Sequence, residues 1–355
     1  MEHFAREGAV HARAGSPVGR LPDAAAVEAI VDAAFWASLL REEGYVPEIS
    51  LAYLAPDEAA FCLRLAVPLP LGPRALSRLG PAVERPGIHL GVWGASDDLS
   101  VWGTTRAIPT FTFVVEVLGP GLLVVKHRTR EDAAKFLNVA VFEGDQVKIL
   151  SRADVVAPGR PALLRSLLAP EPSSPTEAPD DVLLRLAVSM RAHGRGGTLL
   201  VVPAGTEGWK DSIVTPVAYA VEPPFTELAD LVRTDERGPA LVRAVDAVAG
   251  LTAVDGATVI TDRHELLAFG AKIGRPDGRP QVQQVLVSEP IEGAAAAVVA
   301  PVQLGGMRHT SAAQFAQDQP ASVALVASQD GRFTIFAWSV ADGMVRAERV
   351  ETLLF

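Results

Sequence analysis

Two short stretches of this 355-residue chain carry residue types suited to phosphate and metal chemistry. The first is VDGATVI, in which Asp255, Gly256 and Ala257 stand at a predicted helix-to-strand junction. A carboxylate there can hold a divalent cation, and the glycine lets backbone approach a ligand closely. The second is GGMRHTSA, residues 305–312. Gly305 and Gly306 can present backbone N–H groups ahead of a helix start, and helix N-termini attract phosphate. Arg308 offers a fork of donors to phosphate oxygens, with His309, Thr310 and Ser311 adding others. Each stretch also has a plainer reading. Asp-Gly is an ordinary turn dipeptide, and GGMRHTSA is equally a glycine loop with Thr310 or Ser311 as an N-cap and Arg308 in solvent.

Other segments point less far. GAKIG lacks the spacing of a P-loop. His264 and Glu265 are adjacent, so on a strand they face opposite ways, and a hairpin tip explains them better. GRGGT, residues 194–198, serves as a helix stop and strand start. His89 and His127 lie in strand-like segments with no second ligand two residues away, which makes them structural. No GxSxG elbow is present, so a hydrolase triad has no support.

The elements that must position these residues fall into two domains, as expected for a chain too long for one core. EPSSPTEAPDD, residues 171–181, reads as a linker between a domain at 1–170 and another at 182–355. In the first, a helix is predicted from Asp23 to Glu43, capped by Asp23 and stopped by Gly44. The strand-like segments EISLAYL, AFCLRLAV, IHLGVW, LSVWG, TFTFVVEVL, GLLVVKH and VKIL follow, making this half strand-rich α+β. The repeated VWG at Val92–Gly94 and Val101–Gly103 suggests a hairpin turning near Asp97 and Asp98. In the second domain, helices (DVLLRLAVSMRAHG, FTELADLVR, PALVRAVDAVAG, and a short one around SAAQFAQ) alternate with buried strands such as TLLVVP, ATVIT and SVALVAS. That alternation predicts an α/β fold with a mixed sheet flanked by helices.

Bulk properties narrow the partners. The formal net charge is -10, which argues against a broad nucleic-acid or membrane surface, although a few local donors can still hold a nucleotide. Cys62 is the only cysteine, so there is no internal disulfide and no Cys-based zinc site. No apolar run approaches the roughly 20 residues of a membrane span, and the first residues lack the apolar centre of a signal peptide. A cytoplasmic location fits.

In combination, GTLLVV, DGATVI, a strand ending GAKI, GGMRHTSA and SVALVASQDGRFTIFAW resemble the diadenylate cyclase domain over roughly Asp181 to Trp338. The first half is similar to sensor domains found ahead of some such cyclases, on domain order and strand content. The resemblance implies that Asp255 binds Mg²⁺ or Mn²⁺ beside an attacking ribose hydroxyl. It further implies that Arg308 and His309 contact an ATP triphosphate. The nucleotide site would be lined by Gly256, Ala257, Gly305, Gly306, Met307, Thr310, Ser311 and Ser328. Two ATP molecules would be joined into cyclic di-AMP between domains of a homo-oligomer placed face to face. The chain departs from the family at Met307, at Thr310, where a second arginine is usual, and at Ser328-Gln329, where an acidic pair is usual. The stretch from Gly274 to Leu304 is also longer than in compact members. Lys272, Arg275 or Arg279 can supply the missing charge. The departures leave open a nucleotide-binding sensor without turnover, or a cyclase with another nucleotide product.

Overall fold

A computed structural model describes residues 19–41, 44–46, 48–128, 136–151, 182–236 and 238–355. The predicted linker at 171–181 lies outside the described residues. The chain divides into two compact units, Met1–Leu150 and Ser151–Phe355.

In the first unit, helix α1 (Ala24–Ser38) begins where Asp23 Oδ1 accepts the Ala26 N–H at 2.8 Å. It ends at Ser38, short of the predicted stop at Gly44. The Ser38 hydroxyl donates to the Phe35 carbonyl and accepts the Gly121 N–H, so tertiary bonding fixes the end before the glycine is reached. Small residues on its inner face (Ala26, Ala33, Ala34, Ala37) let it lie close to the sheet, with Ile30 as the bulky contact. Strands β1 (Ile49–Tyr53) and β2 (Ala60–Pro70) precede a short helix α2 (Pro73–Leu79). Then come β3 (His89–Trp93), β4 (Ser100–Ala107), β5 (Phe113–Gly119), β6 (Leu122–Arg128), β7 (Phe136–Glu143) and β8 (Gln146–Ile149). They form an eight-stranded sheet in the order β2-β4-β3-β1-β5-β6-β7-β8, with β1 and β3 parallel. The VWG repeat is the β3–β4 hairpin, turning through a bond from the Asp98 N–H to the Ala95 carbonyl. Gly91 is obligatory there, since a Cβ would sit 2.1 Å from the Trp102 ring.

The second unit starts with α3 (Val182–Ala192), stopped by Gly194 at φ +65, and β9 (Gly197–Val202). Next are β10 (Tyr219–Phe225), α4 (Glu227–Arg233), α5 (Pro239–Leu251), β11 (Ala257–Thr261), β12 (Leu266–Ala271), β13 (Val285–Ser288) and β14 (Ala297–Val299). Helix α6 (Met307–Asp318), β15 (Val323–Ala327), β16 (Phe333–Ser339) and β17 (Met344–Arg349) complete it. The nine-stranded sheet runs β10-β12-β11-β9-β15-β16-β17-β13-β14. Parallel pairs (β9 with β11, β13 with β17) mix with antiparallel ones. Alternating side chains fill both faces. Leu199, Val201, Ile260 and Leu325 pack with α3 and α5, while Leu200, Val202, Val259 and Val326 pack with α6. This is the mixed α/β architecture expected, with a strand-rich first unit. Among the described residues no helix is long and apolar enough to cross a membrane.

One face of the first sheet packs against α1 and α2; the other carries a polar row. Ser50 Oγ lies 2.7 Å from His89 Nδ1 and 3.4 Å from Glu116 Oε1, and Lys126 Nζ lies 2.5 Å from Glu116 Oε2. This is not a hydrolytic triad, because the carboxylate meets the serine and not the far nitrogen of the histidine. His89 is 2% exposed. Burial, followed by the charges of Lys126 and Arg128, lowers its pKa from 6.5 to about 4. The folded chain therefore refuses a proton that the unfolded chain takes up between these values. The penalty is full below about pH 4 and gone above 6.5, so this group makes stability rise with pH across that window. The shift corresponds to roughly 3 kcal/mol at most. Urea unfolding at several pH values should show wild-type and His89→Gln profiles diverging in that range, with the variant less acid-sensitive. Parallel profiles would contradict a buried neutral His89.

Candidate functional site

The centre of the second sheet determines which loops meet. β11 runs parallel to β9 with Ala257 opposite Thr198, and β15 runs antiparallel to β9 with Ala327 opposite Gly197. The starts of β9 and β11 and the end of β15 therefore share one end of the sheet. A Cβ on Gly196 would lie 2.9 Å from Arg308 Nη1, 3.2 Å from the Ala327 carbonyl oxygen and 3.3 Å from Gln329 Cγ. The exposed Arg308 guanidinium thus rests on the glycine loop before β9. The DGA loop opens one strand away, about 4.8 Å across the sheet.

Asp255 follows α5 in a loop anchored by Thr252, whose hydroxyl donates to the Ala249 carbonyl and lies 3.1 Å from His193 Nε2. The Asp255 side chain is 92% exposed, and its nearest charged partner is Lys272 Nζ at 4.0 Å. Gly256 has φ +106, and a Cβ on it would lie 2.5 Å from the Gly270 carbonyl carbon. The close approach coincides with an irregularity in the β11–β12 pairing, and Gly270 itself lies against the Tyr219 ring. Ala257 is buried in the core shared with α6.

Helix α6 begins at Met307, four residues before the predicted SAAQFAQ start. Gly306 is its N-cap, and no side chain caps the first turn. Thr310 and Ser311 are half-buried and inside the helix, so neither is the cap that the plainer reading allowed. Met307 and Arg308 are exposed, whereas His309 is 3% exposed. Its ring packs edge-on to Phe336, centroids 6.0 Å apart. Its Nδ1 would stand 2.4 Å from a Cβ on Gly305, which explains the glycine. Burial, the largest influence, holds the His309 pKa below the ordinary value, and its buried Nε2 has no hydrogen-bond partner among the described residues. His309 supports the loop from beneath, while Arg308 faces outward.

The β15–β16 turn borders the same end. The Ser328 N–H donates to the Arg332 carbonyl, and Arg191 and Gln329 tie the turn to α3 and to the Arg195 carbonyl. Burial pushes the Asp330 carboxyl up, but the Ser328 hydroxyl and the Arg332 N–H and guanidinium outweigh it and hold the pKa below the usual range. The sequence reading treats GRGGT as punctuation, whereas the structure makes Gly196 the seat of Arg308. Two further glycines after Gly194, already sufficient as a helix stop, are the signal for it.

Among the described residues no group of three or more His, Cys, Asp or Glu side chains is arranged to hold an ion. The exposed carboxylate of Asp255 nevertheless suits Mg²⁺ or Mn²⁺, hard ions that commonly take one carboxylate plus water and substrate phosphate oxygens.

Residues 16–106 match the family described as "Probable sensor domain DACNV". Two solved structures are similar to parts of the chain. One is DacA from Staphylococcus aureus, in a form carrying two cysteine substitutions, at 12% identity and TM-score 0.25, covering 47% of this chain and 83% of that one. The other is a hypothetical membrane spanning protein from Bacillus cereus, at 15% identity and TM-score 0.27, covering 52% and 67%. No curated protein matches. The sensor-domain match falls in the half where the sequence resemblance expects such a domain.

Gly256→Ala must adopt a left-handed backbone and displace the Gly270 peptide, so it should cost about 1–3 kcal/mol in urea unfolding. Gly306→Ser, with φ -74 and open space, should instead stabilise the chain by up to about 1 kcal/mol through the missing cap. A neutral Gly256→Ala would refute the close approach.

Proposed function

We propose that residues 182–355 form a nucleotide-binding domain of the diadenylate cyclase type. It condenses two ATP molecules into cyclic di-AMP and two pyrophosphates under control of the N-terminal sensor half. The observation that carries this reading is the shared sheet end, where the exposed carboxylate of Asp255 and the exposed guanidinium of Arg308 flank the start of β9 beside an uncapped helix terminus.

Each 3′-hydroxyl attacks the α-phosphate of the other ATP, its proton passes to solvent, and the bond to pyrophosphate breaks, so that two pyrophosphates leave. Asp255 would hold Mg²⁺ or Mn²⁺ beside the attacking hydroxyl, and the ion would supply neutralisation of phosphate charge. Arg308 and the N–H groups of the first turn of α6 take the triphosphate, where preorganised donors stabilise developing charge. His309 acts by positioning, because it is buried under Gly305. Lys272, 4.0 Å from Asp255, can supply the charge of the family's second arginine. Reaction between two ATP molecules requires two such domains facing one another in a cytoplasmic homo-oligomer.

A second reading is a nucleotide sensor without turnover. It is favoured by the burial of His309 and by Thr310 in the arginine position, which leave Arg308 as the motif's exposed charged donor.

The full chain incubated with ATP and Mn²⁺ should yield cyclic di-AMP by mass spectrometry, and Asp255→Asn should abolish it. Arg308→Ala removes a charge-assisted contact worth about 1.5–3 kcal/mol, roughly ten- to hundredfold in rate. ATP binding by calorimetry with no product across metals and protein concentrations rejects the cyclase in favour of the sensor. Competition among the four nucleoside triphosphates tests product choice.

A further inference from the structure

The first unit contains a cavity of about 530 Å³, within the size range of small-molecule sites, bounded by β1, β3, β5, β6 and the segment before β3. His89 and Ser50, both buried, line it together with the Glu116–Lys126 pair. The Ser50 hydroxyl is closer to His89 Nδ1, at 2.7 Å, than to Glu116, at 3.4 Å, and Glu116 is already engaged by Lys126. The hydroxyl has one hydrogen for these two neighbours, and the imidazole tautomer decides which accepts it: with the hydroxyl donating to Nδ1, the imidazole hydrogen stands on Nε2. That tautomer would present an N–H donor on the cavity wall that His89 lines. Lys126 and Arg128 add cationic donors, and Phe136, under the Lys126 ammonium at 4.6 Å, adds an apolar wall. Glu48, Glu84, Arg85 and Arg106 are exposed at the rim and balance in charge.

We infer that this cavity is the sensor half's ligand site and takes a small organic anion, carboxylate or phosphate, through His89 Nε2–H and the Lys126 and Arg128 cations. The inference rests on the first unit alone and stands whether or not the second unit turns over ATP. It also gives the buried His89 a task beyond packing, since it lines the cavity.

The test is histidine side-chain NMR on the full chain carrying labelled histidine, with the His89 signal assigned by its loss in His89→Gln. Citrate, glycerol 3-phosphate and spermidine are titrated separately to millimolar concentration. One or both anions should shift the His89 signal saturably, spermidine should not, and the tighter anion identifies the head group. Arg106→Glu, an exposed change at the mouth, should weaken the anion by about tenfold or more. The inference is overturned by a His89 signal that no anion moves while the amide spectrum stays dispersed. A response to spermidine alone, or undiminished binding by Arg106→Glu, also overturns it.

Discussion

Everything in the second unit depends on the pairing of β9. All six of its residues are buried, and it is hydrogen-bonded to β11 in parallel and to β15 in antiparallel register. Slipping that register by one residue would turn Leu199 and Leu200 to the wrong cores, so burial on both faces fixes it firmly. Because β11 is parallel and β15 antiparallel, the start of one and the end of the other meet at the glycines before β9. Asp255 and Arg308, 53 positions apart in the chain, become neighbours through backbone pairing and not through any direct contact.

Close backbone approach is the second constraint. Gly256 against Gly270 and Gly305 over His309 are two places where a methyl group has no room, and Gly196 under Arg308 holds a left-handed backbone at φ +70. Each thins the structure at the edge of the same sheet end, leaving Asp255 and Arg308 exposed above a floor of backbone and a buried imidazole. The two halves of the chain use histidine differently: His309 fills space below a loop, whereas His89 ends a polar row at a cavity.

Much of the fold was legible because local chemistry and burial agreed. The Asp23 cap, the VWG hairpin, the Gly194 stop and the alternating leucines and valines of β9 each announce themselves in a few residues. β7 and β17 escaped, although Leu137, Val139 and Val141 alternate and Val345 and Ala347 do so in a shorter, charged strand. The end of α1 escaped because a tertiary bond from the Gly121 N–H to the Ser38 hydroxyl decides it. At the candidate site, residue types pointed to Asp255 and Arg308. The inward turn of His309 and the role of Gly196 depend on where α6 starts and on sheet register, which no local spacing encodes.

The central claim is that the DGA loop and the α6 terminus grip one nucleotide together. A double-mutant cycle of Asp255→Asn and Arg308→Ala, read by calorimetry with a non-hydrolysable ATP analogue and Mg²⁺, measures it most directly. Groups holding one ligand should couple by about 0.5–3 kcal/mol. Strict additivity of the two losses, or no binding by the unaltered chain, would contradict the account.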